Sequence, residues 1–160
     1  MWASPSLAAM AEVRALSLEE FLAQPSTPAL LQQHYDELCV LKHLQTLDPL
    51  MAVYRQMEAE DRLLILAAFD PDLVGYSVNF LTRPLHYAGL IVLQNDVLFV
   101  DWRARERQVG ARLMAETSRT AKERGAKVVL WHAKPDTRLA QIGAERRWKV
   151  QDIVYAEELI

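Results

Sequence analysis

The chain has 160 residues, of which 51% are hydrophobic and 24% charged, and a formal net charge of −3. That length can bury a real core in one domain, and the slight acidity excludes the basic excess of a dedicated nucleic-acid binder. The single cysteine, Cys39, leaves no internal disulfide, which suits a reducing, cytoplasmic compartment.

Residues 1–14 read as a loose tail ahead of a single domain over 15–160. The opening "MWASPSLAAMAEV" has no basic n-region and no long apolar run, so it makes a poor signal peptide. No segment approaches the roughly 20 apolar residues of a membrane-spanning helix. Ser17 is placed to cap a short helix, "LEEFLAQ", with Glu20 at capping-box spacing. "PSTP" breaks it. Thr27 as cap and Pro28 at the first helical position then open a longer helix. Leu30, Leu31, Tyr35, Leu38, Leu41 and Leu44 recur along it at helical spacing. "LDPL" ends that helix, and Asp48 and Pro49 open a third through Met51, Tyr54 and Met57 to Glu58.

The character changes at Arg62. "LLILAAF" reads as a buried strand, "DPD" as a turn, and "LVGYSVNFLT" as an alternating strand ending at Arg83-Pro84. "AGLIVLQND" leads to "VLFVDW", with Asn95-Asp96 predicting a turn between two paired segments. After Gly110 the helical pattern returns. Leu113, Met114, Thr117 and Ala121 share one face, Arg112 to Glu116 and Arg119 to Glu123 are opposite-charge pairs, and Gly125 sits at a C-cap position. "AKVVLWHA" is a further strand, "TRLAQIGAERR" a last helix, and "VQDIVYAEEL" one or two closing strands. The order predicts an α/β fold with a mixed sheet.

The stretch "RARERQVGARL" places four arginines between a strand and a helix start, with Gly110 at the junction. A helix start presents unpaired N–H groups and a partial positive charge, and so suits an anion. Gly110 lets the backbone approach, and Arg105 and Arg107 can add bidentate contacts. A solvated Arg-rich turn is the plain alternative. There is no GK[ST] and no GxGxxG, which excludes a P-loop and argues against a dinucleotide fingerprint.

"VDWRARERQVGARLM" resembles the acetyl-CoA loop of the GNAT superfamily of N-acetyltransferases, Arg/Gln-x-x-Gly-x-Gly/Ala after a strand. Arg105 takes the first position and Gly110 the last, while Gln108 replaces the first glycine. "VGY" at Val74–Tyr76 and the stretch from Gly125 to Leu159 extend the likeness, and "WHAKPDT…VQDIVY" resembles phage-encoded GNAT-like proteins. The resemblance implies a GNAT fold, a mixed central sheet of about six to seven strands with flanking helices. It implies a pantetheine arm paired to backbone in a split beside Phe99 and Val100. The diphosphate would then lie on Arg105, Glu106, Arg107, Gln108, Val109, Gly110 and Ala111, with Asp136 nearby.

The activity so implied is acetyl transfer from acetyl-CoA to the amine of a small molecule or protein, without a metal, a membrane or nucleic acid, and with a homodimer allowed. The histone-type branch has a glutamate base where Asp96 stands. The family's tyrosine acid falls on Gly143, so Tyr155 or Tyr87 would stand in. His132, at a strand end, is a further candidate base or substrate contact. Asp136 is also the expected cap of the last helix. His34, Cys39 and His43 lack the spacing and partners of a metal set. The competing reading is an inactive CoA-binding or virion-associated interaction protein of the same fold.

Overall fold

The apolar run Leu63–Phe69 is the strand around which the rest is built in this computed structural model, which describes residues 10–159. In chain order the elements are β1 (Glu12–Leu16), α1 (Leu18–Leu22), α2 (Thr27–Leu38), α3 (Met51–Ala59), β2 (Leu63–Phe69), β3 (Leu73–Thr82), β4 (Val92–Val100), a 3₁₀ turn (Trp102–Arg107), α4 (Val109–Glu123), β5 (Val128–Trp131) and α5 (Arg138–Glu145). The strands form one five-stranded sheet in the order β1-β2-β3-β4-β5. The first three pairings are antiparallel and β4-β5 is parallel.

Strand alternation sorts β2 between two cores. Leu64, Leu66 and Ala68 meet Val109, Leu113 and Ala121 of α4 on one face. Leu63, Ile65 and Ala67 meet Leu18, Phe21 and Leu30 of α1 and α2 on the other. Burying Leu113 and Leu66 completely contributes about 1.5–3 kcal/mol each. Gly75 sits opposite Val100, where a Cβ would stand 3.0 Å from Phe99 O and 3.2 Å from Val100 Cγ2. Gly75→Ala is therefore expected to cost about 1–3 kcal/mol by overpacking, read as a lower urea midpoint at unchanged slope.

Several local signals act as the sequence predicts. Ser17 and Glu20 form the reciprocal capping box, and Leu18 N donates to Glu58 Oε1 at 2.7 Å, tying α1 to α3. Gly125 has φ +83° after α4, and Ala126 N reaches back to Ala121 O at 2.9 Å.

Other expectations are corrected. Residues 12–14 belong to β1, because their backbone pairs with Phe69, Ala68 and Ala67; residues 1–9 of the expected tail lie outside the described residues. The N-cap of α2 is Ser26, since the Thr27 hydroxyl is buried and donates instead to Phe21 O at 2.6 Å. That helix stops at Leu38, not Leu44: beyond it Val40 is 72% and Leu44 50% exposed, so no packing supports the periodicity. Tyr35 Oη donates to Gln45 O at 2.7 Å and folds the following segment back. Glu116 pairs with Arg119 rather than Arg112. Asn95-Asp96 is no turn but lies inside β4.

Among the described residues the sheet has five strands, not the six or seven expected, since residues 149–159 form no strand. An alternating sequence becomes a strand only where its backbone groups find partners. Here Ile153, Val154 and Tyr155 are 70%, 90% and 86% exposed. The segment is anchored near its ends, by Trp148 stacked on Trp131 with centroids 5.9 Å apart and by Glu158 paired with His43 at 2.9 Å.

Candidate active site

β4 and β5 pair only from Val92↔Val128 to Asn95↔Trp131, yet β4 continues to Val100. The two strands therefore part company at Asn95, leaving the β5 side of β4 open over residues 96–100. The parting coincides with an irregularity on the other side of β4. Val78 lies opposite Val97 and Asn79 opposite Asn95, so Asp96 is an extra residue in the ladder, a β-bulge. The bulge explains why a turn-forming Asn-Asp pair occurs mid-strand.

Asp96 stands in the cleft where β4 and β5 part, exposed to solvent and within charge range of Tyr54, Tyr76 and His132. Burial raises its carboxyl pKa, and the neighbouring His132 charge pulls it back down. Burial and then the Asp96 charge raise the Tyr54 hydroxyl pKa. Tyr76 is almost fully buried and is pushed up by burial, then by Tyr54 and Asp96. His34 Nδ1 lies 3.0 Å from Tyr76 Oη, and its ring packs on Phe99 at 5.2 Å. Burial lowers the His34 pKa, while the Glu37 charge raises it and the Lys134 charge lowers it. An accessible carboxylate, the Tyr54 hydroxyl and the His132 imidazole thus meet at the parting of the strands, with the buried Tyr76 and its partner His34 behind them.

At the far end of the opening lies the arginine-rich loop. Three of its guanidinium groups are engaged within the chain. Arg103 pairs with Asp101 at 2.7 Å, Arg105 with Glu37 at 2.6 Å, and Arg107 with Asp70 at 2.6 Å. Arg105 Nε also donates to Val100 O at 3.0 Å, with the guanidinium over the Phe99 ring. Arg105 and Arg107 therefore brace the loop against α2 and the β2-β3 turn. Among the described residues no side chain caps the first turn of α4, and a Cβ on Gly110 would meet only Val100 Cγ2, at 3.8 Å. Glu106, Gln108 and Ala111 are exposed, and Val109 is buried beneath them. On the same turn Arg112 Nη1 is buried without a partner among the described residues.

Gln108 has φ 60° and ψ 17°, the left-handed conformation in which glycine is least strained. Gln108→Gly is expected to raise the thermal midpoint slightly. Relief of this conformation, about 1–2 kcal/mol, outweighs about 0.5–1 kcal/mol of added chain entropy. Differential scanning calorimetry checks it.

The structure brings the charges of Asp96 and His132 within range of each other, and places Phe99 and Val100 on the part of β4 that pairs with β3 but not with β5. It does not set Tyr155 on a final strand; that residue stands exposed after α5. Nor does Asp136 cap α5. Thr137 does, accepting from Ala140 N at 3.4 Å, while Asp136 occupies a turn with φ 61°. Sequence reasoning missed Tyr54, Tyr76 and His34 as site residues. Their signal was present as polar aromatics on otherwise apolar faces of α3, β3 and α2. Among the described residues no three His, Cys, Asp or Glu side chains could hold a metal ion, and no helix is long and apolar enough to cross a membrane.

An α/β chain with a mixed five-stranded sheet, flanking helices and a split between its parallel strands has the fold of solved acetyltransferases. It is similar to an aminoglycoside acetyltransferase, HMB0005, from an uncultured soil metagenomic sample, with TM-score 0.67 and 18% identity over 94% of this chain and 97% of that one. A ribosomal-protein-alanine N-acetyltransferase from Brucella melitensis biovar Abortus 2308 gives 0.64 and 17% over 94% and 97%. Glucosamine-6-phosphate N-acetyltransferase from Arabidopsis thaliana gives 0.67 and 11% over 94% and 99%. At such identities the likeness establishes the fold alone. No protein-family model matches the chain, and no curated protein matches it in sequence.

Proposed function

We propose that this chain is an acetyl-CoA-dependent N-acetyltransferase acting on a primary amine. The observation that carries the reading is the opening of β4 from β5 at Asn95, with an uncapped helix start at one end and Asp96 at the other. The residues present fit the co-substrate. The edge of β4 that β5 leaves suits an amide-bearing arm at Phe99, with Val100 O already accepting from Arg105 Nε. The N–H groups of Val109, Gly110 and Ala111 at the α4 start suit a diphosphate. Arg105 and Arg107 hold the loop in shape through Glu37 and Asp70, and Glu106, Gln108 and Asp136 are kept as further contacts in the proposal.

In this reading the amine attacks neutral. Its nitrogen bonds to the acetyl carbon, the carbon–sulfur bond breaks, and the surplus amine proton passes to Asp96 directly or through one water. His132 beside Asp96 favours the ionised carboxylate. Tyr155 is kept as the proton donor to the departing thiolate, on the segment whose Glu158 already reaches His43. The amine-bearing small molecules named for the aminoglycoside and glucosamine-phosphate enzymes favour a small acceptor. The likeness to phage-encoded members rests on the C-terminal sequence. A homodimer and a cytoplasmic location complete the proposal.

The internal ion pairs of Arg103, Arg105 and Arg107 favour a second reading, a CoA-fold protein that binds or docks without turnover. Calorimetric titration with acetyl-CoA, CoA and ATP tests the first reading. Micromolar binding of the two CoA species and not ATP is the expected result, followed by thiol release with an amine panel. No binding overturns it.

A further inference from the structure

Asn95 is completely buried on the α4 face of β4, directly before the bulge. Its side-chain nitrogen lies 2.9 Å from Val97 O, 2.9 Å from Asn79 Oδ1, 3.2 Å from Ser77 Oγ and 3.5 Å from Val78 O. Val97 follows the bulged residue and Val78 lies opposite Val97, so the two carbonyls bracket the irregularity. The amide spans Asp96 from behind. Turning it over would face its oxygen against carbonyl oxygens, so its orientation is set by its surroundings.

The amide is itself held. Asn79 Nδ2 donates to Ser77 Oγ at 3.0 Å and to Leu64 O at 3.2 Å, and Ser77 Oγ lies 3.3 Å from Thr117 Oγ1 of α4. This arrangement has a cost. Asn95 Oδ1 is buried without a partner among the described residues, a penalty that an apolar side chain would avoid. A polar group kept at such a cost, beside the point where two strands part, is explained by what it positions.

We infer that Asn95, steadied by Ser77 and Asn79, is a positioning residue that locks the β4 bulge and so holds Asp96 in the acceptor cleft. A bulge is an irregular stretch of ladder held by its local contacts, and loosening it would let the carboxylate swing away from Tyr54 and Tyr76 into solvent. In the cleft Asp96 faces Tyr54 of α3, Tyr76 of β3 and His132 after β5, and each would lose its charged neighbour. The functional weight of this device rests on the reading of Asp96 as the base.

The test is a carbon-13 NMR titration of aspartate carboxyls in the whole protein without ligand, the Asp96 signal being assigned by its loss in Asp96→Asn. In Asn95→Ala the Asp96 midpoint is expected to fall toward the value of about 3.9 of a free aspartate. Thr117→Val is the control. It removes a member of the same network that does not touch the bulge, and it should lower stability while leaving the Asp96 midpoint in place. If Asn95→Ala does not fold, Asn95→Ser, too short to span the bulge, should give the same fall. A wild-type midpoint in the Asn95 variant that folds overturns the inference, as does an equal fall in Thr117→Val. Failure of Asp96 as a base would show separately, as unchanged turnover in Asp96→Asn, because the titration reports position and not chemistry.

Discussion

Gly110→Asp is expected to weaken acetyl-CoA and CoA binding by about two orders of magnitude with the fold intact. The packing argument comes first. A Cβ at Gly110 meets Val100 Cγ2 at an ordinary 3.8 Å, and the residue's φ lies outside the left-handed region. It occupies the second helical position of α4, where a carboxylate favours the helix. Thermal stability should therefore hold or rise. The same carboxylate would sit among the N–H groups offered to the diphosphate. Losing one charge-assisted hydrogen bond costs about 1.5–3 kcal/mol, and each 1.4 kcal/mol is about tenfold in affinity. Gly110→Ala separates size from charge and should bind much closer to the wild type. Calorimetric titration beside a melting curve checks both variants. Wild-type affinity in Gly110→Asp would sink the cradle.

Elements governed by local chemistry were legible in the sequence. The capping box at Ser17, the left-handed Gly125 and the continuous apolar run of β2 each answer to a few neighbouring residues, and each stands where it was expected. Elements governed by distant partners were not. Leu41 and Leu44 keep helical spacing, but Leu44 is half exposed and neither joins a core cluster, and α2 stops at Leu38. Val150 to Leu159 keeps strand-forming residues without a neighbouring strand to pair with. Asn95-Asp96 carries the composition of a turn, and the sheet absorbs it as a bulge because β3 supplies pairing on both sides.

The site divides in the same way. The loop was readable because it follows one strand and one helix start, while the split was expected only from the family resemblance. The arginines of that loop read as free cations, yet Glu37 and Asp70, 68 and 37 residues away in sequence, neutralise two of them. Tyr54, Tyr76 and His34 converge on one cleft from α3, β3 and α2, and no spacing rule joins them.

Asp96→Asn should lower turnover by about a hundredfold or more, the usual worth of a positioned base, with acetyl-CoA affinity little changed. The pH dependence carries the sharper content. Burial, as the larger cause, raises the carboxyl pKa, and the His132 charge offsets part of it. The acid limb of kcat/KM should therefore lie above the ordinary aspartate value of about 3.9, and it should vanish in Asp96→Asn. Stability should move the other way. A carboxyl whose pKa is higher folded than unfolded keeps its proton longer in the native state. Between the two values the native chain binds more protons, so stability falls as pH rises through that window, and the loss persists above it. Asparagine does not ionise. Asp96→Asn should thus be the more stable protein at neutral pH and match the wild type only below both values. Urea unfolding at pH 3 and pH 7 reads the difference directly. A variant that loses activity without gaining stability at pH 7 would mean that Asp96 is not held against its own ionisation, and the base would have to be sought at His132.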